Sequence, residues 1–416
     1  MKRRFLVITT AGAVLALVLS ACNGGSQTSS GLGMTPQTSP IYSGNGQGGN
    51  GQGGNGQGGN GQGGDCQGDN SQGNQRGFNS SGDMVIADQF NNRVIEIDPP
   101  SHKIVWTFGG SSTAGPHTIV GTNDAERVGC FTLMAGTGVP PASPPFEPGC
   151  GSGCPDNRVI LVDENKRIVW QYGHAGVAGS GPDQLNTPVQ NTYLPNGHVL
   201  ITDQVNERVI EVTHSKHIVW QYGTTGVSGS GPDQLNNPNS AELLTNGHIL
   251  IADENNNRVI EVNHGKNIVW QYPDPTDKNK LNGAAFASRL ANGNTLITDS
   301  NNNRIVEIDS NKNVVWTYST LASGGNSNPL PTRAVRLRNG DTLISDQFND
   351  RVIQVRKSGS TGGTIVFTQG ILNNPGNGSN QLNAPYDAKV VGDYTGLTKP
   401  HRGEGGDASV GNPIKD

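Results

Sequence analysis

Five cysteines and nine histidines carry much of the side-chain chemistry available to this chain. Their spacing excludes several kinds of it. Cys150-Gly-Ser-Gly-Cys154 has no histidine within zinc-ligand spacing, which argues against a zinc site. No Cys-x-x-Cys-His occurs, so no c-type haem is expected. Cys66, Cys130, Cys150 and Cys154 instead suit disulfides in an exported protein, and these four allow three pairings. The favoured arrangement joins Cys130 to Cys150 or Cys154, with Cys66 taking the remaining partner and pinning the N-terminal segment to the domain. Asp299-x-Asn301-x-Asn303 has the opening of a calcium loop, but Arg304 stands where such a loop needs Gly and no acidic residue follows at its twelfth position. No metal or cofactor is therefore expected; calcium here, or a quinone elsewhere, is the alternative.

Export is legible at the N-terminus. Lys2-Arg3-Arg4 precedes an apolar stretch from Phe5 to Leu19, short for a membrane span and right for a signal peptide. Leu19-Ser20-Ala21-Cys22 then resembles the bacterial lipobox. That resemblance implies cleavage before Cys22 and acylation of its side chain, hence a membrane partner and a location in the bacterial cell envelope. Each buried CH₂ of an acyl chain contributes roughly 0.8 kcal/mol to anchoring. The formal net charge is −5, and removal of the signal makes it −8. With no basic tract downstream, nucleic acid is excluded as a partner.

Gly accounts for 60 of 416 residues, about twice ordinary usage, because residues 23–80 are a Gly/Asn/Gln-rich tract built on Asn-Gly-Gln-Gly-Gly. Such a segment cannot bury enough apolar surface to offset its ordering entropy. It reads as a flexible, disordered linker with an end-to-end distance near ~40 Å. Residues 399–416 read as a disordered tail.

The region between them is repetitive. Trp106, Trp170, Trp220, Trp270 and Trp316 all follow Val, and Phe367 takes the sixth place. Upstream lie Arg93, Arg158, Arg208, Arg258, Arg304 and Arg351. Five residues before each Arg stands Asp88, Asp203, Asp253, Asp299 or Asp346; the second repeat lacks it. Short Val/Ile-rich runs alternate with polar residues, the period-two pattern of strands. Asn-Gly at 196–197, 246–247, 292–293 and 339–340 marks hairpins. Six such repeats of four strands, a to d, predict an all-β, six-bladed β-propeller over residues 81–398. The first repeat lacks its a strand. Residues 388–391, which follow Gln381-Leu-Asn-Ala-Pro385, are expected to supply it and close the ring, removing the exposed edges. Within the propeller, residues 138–156 are a Pro/Gly-rich insertion in the second blade. A monomer is expected.

The pattern Asp-x-x-Asn-x-Arg-Val/Ile resembles NHL repeats, which form six-bladed propellers. The phrase from Asn292 to Tyr318 is similar to repeats of bacterial arylsulfotransferases and of quinone-binding-like propellers. The first resemblance implies fold; the repeated Asp and Arg read as scaffolding that pairs across the b–c loop, and the tryptophans as packing between blades. Function is expected where the blades differ. The a strands line the channel, and their first residues are His117-Thr118, Val189-Gln190, Asn239-Ser240, Ala285-Phe286, Thr332-Arg333 and Tyr386-Asp387. Gln190, Asn239, Phe286, Tyr386 and Asp387 are thus candidate ligand-binding residues at the channel mouth. The leading reading is an extracytoplasmic, lipid-anchored scaffold binding a protein, peptide or glycan through the long loops of one face. The arylsulfotransferase resemblance implies an alternative, with His117 attacking sulfur and Arg333 stabilising the anionic oxygens. A metal-dependent lactonase- or lyase-like propeller is a further one.

Overall fold

The computed structural model describes residues 77–142, 145–276 and 280–393. The signal, Cys22, Cys66, most of the linker and the tail lie outside the described residues.

Six antiparallel sheets of four strands follow one another as blades. Blade 1 contains β1 (Met84–Asp88), β2 (Arg93–Asp98) and β3 (Lys103–Gly109); blade 2 contains β4 (Thr122–Val128), β5 (Phe131–Gly136), β6 (Arg158–Asp163) and β7 (Ile168–Gly173). Blade 3 is β8 (Pro188–Tyr193), β9 (Val199–Asp203), β10 (Arg208–Val212) and β11 (Ile218–Tyr222). Blade 4 is β12 (Pro238–Leu243), β13 (Ile249–Asp253), β14 (Arg258–Val262) and β15 (Ile268–Tyr272). Blade 5 is β16 (Ala284–Arg289), β17 (Thr295–Asp299), β18 (Arg304–Ile308) and β19 (Val314–Ser319). Blade 6 is β20 (Arg333–Arg336), β21 (Thr342–Asp346), β22 (Arg351–Lys357) and β23 (Gly363–Gly370). The last strand, β24 (Pro385–Val390), pairs antiparallel with β1, so the C-terminal segment completes blade 1 as the repeat phase requires.

The alternating strands bury apolar side chains on both faces, because each blade is sandwiched between two others. Each core cluster spans two neighbouring blades. Leu133, Val159, Leu161 and Trp170 of blade 2 meet Tyr193, Ile201 and Ile210 of blade 3, and Ile86 and Ile95 of blade 1 meet Leu343 and Val352 of blade 6. The tryptophans sit on these seams. The indole N–H groups of Trp106, Trp170, Trp220 and Trp316 donate to carbonyls of the next blade, at Glu164, His214, His264 and Gly362. His214 and His264 stack on Trp170 and Trp220, so these two are packing residues rather than the solvent-facing turn residues their positions suggest.

The repeated Asp and Arg form one buried node per blade. Arg208 Nε donates to Asp203 Oδ2 at 2.8 Å, and the equivalent pairs in blades 1, 4, 5 and 6 measure 2.7–2.8 Å. The remaining guanidinium nitrogens reach loop carbonyls, Ser180 and Gln184 in the case of Arg208. Asp203 Oδ1 accepts the N–H of Asn186, just before the blade's own a strand, and Asp88, Asp253 and Asp299 repeat this bond. The second repeat also has the node, contrary to its sequence spacing. Asp156, only two residues before Arg158, pairs with it at 2.5 Å and accepts the N–H of Val120. The insertion lengthens this b–c loop and brings in a carboxylate from its far end.

A second bond stitches blade to blade. Each b–c loop ends on a left-handed residue: Asn92, Asn157, Glu207, Asn257, Asn303 or Asp350, with φ of 51–65°. The side chain of each accepts an N–H from the entry of the next blade's a strand, at Gly121, Thr187, Asn237, Gly283, Leu330 and Ala384, over 2.6–3.1 Å. All six donor residues also have positive φ. Asn and Asp tolerate this conformation best, which explains why Asn dominates the position.

Two expectations are corrected. The second blade's a strand starts at Thr122, not at His117-Thr118. Cys150 bonds to Cys154, with Cα atoms 5.3 Å apart across the Gly151-Ser152-Gly153 turn. Cys130 cannot pair with either, because it lies in the a–b turn at the opposite end of the six-residue β5, about 20 Å of extended chain away. Cys130 is itself disulfide-bonded.

Glu207 differs from the neutral Asn at its position in four other blades. Burial pushes its carboxyl up to about 7, against the N–H of Asn237 that favours the charge. Its pKa in the folded chain thus exceeds that of the unfolded chain, so its protonation stabilises the fold and stability falls as pH rises from about 4.5 to about 7. Glu207→Gln should flatten this part of the melting-temperature profile and raise the melting temperature at pH 8; an unchanged profile would show that Glu207 does not titrate there.

Candidate functional site

The innermost strands β24, β4, β8, β12, β16 and β20 bring the blades' variable residues together around the axis. Each enters through its left-handed residue, and in β24, β4, β8, β12 and β16 a register shift follows. This geometry turns the entry side chains toward one another rather than along the sheet.

Arg333 is the centre of the group. It is 1% exposed, and its Nη1 donates to Asn239 Oδ1 at 3.0 Å and to the carbonyls of Ala285 and Thr332 at 3.2 and 3.1 Å. Its guanidinium carbon lies 5.2 Å from the Phe286 ring centre and 5.0 Å from that of Tyr386. Among the described residues, Nε and Nη2 have no hydrogen-bond acceptor; the aromatic faces take that place. Asn239 Nδ2 donates to Tyr386 Oη at 2.9 Å and to Glu254 Oε2 at 2.8 Å, and Gln204 reaches the same carboxylate. Burial raises the Glu254 carboxyl and pushes the Tyr386 hydroxyl up to about 12. One residue thus ties blade 6 to blades 4 and 5, while Tyr386 brings in blade 1.

A second group lies beside it. Lys389 Nζ donates to Asp124 Oδ1 at 2.9 Å, Asp387 Oδ2 at 2.7 Å and the Ala125 carbonyl at 3.0 Å. Burial lowers the Lys389 pKa, but the two carboxylates hold it above its ordinary value. Burial likewise lifts Asp124 to about 7 against the pull of Lys389. A third set of amides runs from Gln347 to Gln89 to Asn123, each step 2.7 Å. Gln190 uses its side-chain oxygen to accept the N–H of Ala241.

Of the residues expected at the channel mouth, Asn239, Phe286, Arg333 and Tyr386 form one contact group. Asp387 belongs to the Lys389 group, and Gln190 braces blade 3 against blade 4. His117 is in neither. It is exposed in the β3–β4 loop, and its hydrogen-bonding contact is the Lys166 carbonyl at 3.4 Å. The misplacement follows from the displaced a strand of blade 2, whose entry residues are Asn123 and Asp124. Asp124, Glu254 and Lys389 were not singled out by the sequence. Lys389 and Asp124 are 265 residues apart, and the closure of β24 beside β4 is the signal that could have joined them. Both oxygens of Asp299 are taken by Arg304, Asn302 and the Asn282 N–H. Among the described residues, no group of three or more His, Cys, Asp or Glu is placed to hold a metal ion.

Residues 155–395 match the family model described as outer membrane protein assembly factor BamB. The chain belongs to this family. No curated protein matches it. Among solved structures, a protein of unknown function from Bacteroides caccae aligns over 74% of this chain and 98% of its own, with 12% identity and a TM-score of 0.47. The virginiamycin B lyase of Staphylococcus aureus aligns over 67% and 82%, with 12% identity and a TM-score of 0.42. A streptogramin B lyase aligns over 70% and 74%, with 15% identity and a TM-score of 0.41. The BamB family match covers blades 3 to 6 in full, together with β24 and the outer half of blade 2. It therefore rests on the regular repeats and not on the insertion.

The axial group is suited to bracing blades, since Arg333 Nη1, Asn239, Tyr386 and Glu254 bond to one another and to main-chain carbonyls across blades. Arg333→Met should cost about 3 kcal/mol in urea unfolding, because it strands the buried Glu254, Asn239 and Tyr386 groups. An unchanged midpoint would mean that Arg333 is held for a ligand and not for the fold.

Proposed function

We infer that this member of the BamB family is an exported envelope protein, anchored through acylated Cys22, whose propeller is a scaffold for a protein partner. The family's description as an assembly factor supports a binding role, and the Cys150–Cys154 disulfide supports export. The observation that carries the reading is the insertion of blade 2. Its strands are joined by the reciprocal Val139–Cys154 backbone bonds, 2.8 and 2.9 Å long. Phe146 stacks on Phe90 of blade 1 with ring centres 4.6 Å apart, and lies 6.3 Å from Phe348 of blade 6. Glu147 accepts a hydrogen bond from Asn92. These phenylalanines and their loops belong to the b–c side, where the d–a loops also lie, as the Phe90–Asn383 and Phe348–Pro329 backbone bonds require.

Phe146 and Phe348 are only partly buried beside a disulfide-tied turn, an arrangement that offers a partner rigid aromatic area at low entropy cost. Asn239, Glu254 and Tyr386 are hydrogen-bonded within the axial group, and His117 lies away from Arg333's contact group. Binding at the loop face is accordingly favoured over sulfate transfer.

Phe146→Asp in the full chain should abolish cross-linking to the envelope partner recovered with the wild type, by roughly tenfold or more, while the melting temperature stays within a few degrees. Undiminished cross-linking by this variant would remove the insertion from the binding surface.

A further inference from the structure

The outermost strand of each blade has one edge that its own sheet does not pair, and this chain covers these edges unequally. At blade 5 the edge is paired. Thr317 N–H donates to the Ser360 carbonyl at 3.1 Å, and Gly362 N–H donates to the Thr317 carbonyl at 2.8 Å. Ser360 to Gly362 thus run as a short parallel strand along β19, with Thr361 opposite Thr317. The Arg-to-aromatic spacing of 16 in the sixth repeat, against 12 in the second to fifth, provides the extra turn residues that reach across. At blade 1, Phe78 packs on Trp106 and lies beneath the Arg127 guanidinium, so the segment entering the propeller covers that seam.

Blade 4 has neither cover. Gln271 occupies in β15 the position of Thr317, with the same ladder register behind it: Trp270 opposes Glu261 as Trp316 opposes Glu307. Its N–H and carbonyl therefore point outward, and no described residue pairs with them. Ile268 and Val269 on this strand are 36% and 48% exposed. Beside them opens a cleft of about 700 Å³ lined by Asn255, Asn256, Lys266, Asn267, Gln271 and Asp274, among others.

Blade 3 has the same exposed pair, Ile218 and Val219, but a different loop beside it. There Gly226 N–H bonds to the Asn206 carbonyl at 2.9 Å, and Thr225 Oγ1 accepts from Arg208 and Gln221. The loop after β11 is thereby folded against the blade. In blade 4, Pro273 replaces Gly223, whose N–H bonds to Asp233, and Pro has no N–H to donate. No described residue donates to the Asn256 carbonyl as Gly226 does to that of Asn206.

We propose that the outer edge of β15 receives an extended peptide segment of a partner protein, rich in Ser, Thr and Gly, added as a parallel fifth strand. Main-chain bonds at Gln271 supply the affinity and the adjoining amide-lined cleft accepts the flanking residues. The chemistry of the occupant follows from the chain's own example at β19, where small residues let the added strand approach beneath Trp316. The site is built on blade 4 and uses no residue of the blade 2 insertion, so each can fail without the other.

The probe is a fluorescent peptide reproducing residues 357–364 of this chain, titrated into the full chain. Saturable binding is expected, weakened about tenfold when the peptide is N-methylated at the glycine equivalent to Gly362, and about tenfold by Gln271→Pro, each of which removes one main-chain bond. Gln221→Pro should leave binding unchanged. No saturable binding at millimolar peptide, equal binding of the N-methylated peptide, or loss with Gln221→Pro in place of Gln271→Pro would overturn the proposal. The N-methyl comparison uses the wild-type chain and stands even if a proline variant fails to fold.

Discussion

A buried carboxylate at the end of a blade's second strand must have its lone pairs filled and its charge balanced, or the b–c loop cannot be buried at all. The Asp203 node meets both conditions from within the repeat: Arg208 supplies the charge, Asn206 an amide N–H and Asn186 a main-chain N–H. Because Asn186 precedes the a strand, satisfying this carboxylate also fixes where the innermost strand of the same blade begins. The left-handed residue that closes the loop then fixes where the next blade begins. Position around the ring is thus handed on by hydrogen bonds, and the apolar seams pack what those bonds have already placed.

The axial cluster depends on that placement. Arg333 can reach Asn239 and the Ala285 carbonyl only because the entries of β20, β12 and β16 arrive at the same height. Once there, a guanidinium between two aromatic rings, with amides and a buried carboxylate beside it, is worth more as a brace than as a free ligand site. The binding surfaces proposed above lie where the repeat is interrupted: the b–c insertion of blade 2, with its aromatic contact to blades 1 and 6, and the open outer edge of blade 4.

The fold was legible in the sequence because the repeated residues are the scaffolding residues. Arg, Trp and Asp recur at near-constant spacing since each must meet the same partner in each blade, and Gln381-Leu-Asn-Ala-Pro385 announced closure by repeating the phrase that opens other a strands. The site was legible only in part. Asn239, Phe286, Arg333 and Tyr386 were reachable because regular blades allow counting from Pro to the channel. Blade 2 defeats that count. Its a strand, Thr-Asn-Asp-Ala-Glu-Arg-Val from Thr122, is too polar to read as a buried strand, yet all seven residues are buried because Asp124, Glu126 and Arg127 find partners on neighbouring blades. His117 was drawn toward the channel by that misreading. Asp156 was missed for a related reason, since an insertion changes sequence spacing without changing the partner that Arg158 requires. Cysteine pairing was misread because sequence proximity of Cys130 to Cys150 hides the length of β5 between them.

Native-state hydrogen exchange at the strand entries addresses the stitching directly. The amides of Asn186, Asn236 and Asn282, which donate to the node carboxylates, and of Thr187, Asn237 and Gly283, which donate to the preceding blade, all lie outside regular strands or at their margins. Loop amides ordinarily exchange through local fluctuations. If these bonds set the register of the ring, all six should exchange only on global unfolding, as slowly as the amides of β9 and β13. Exchange of these entries at the rate of the exposed turns, with the strands still protected, would show that the seams hold the ring and the nodes merely decorate it.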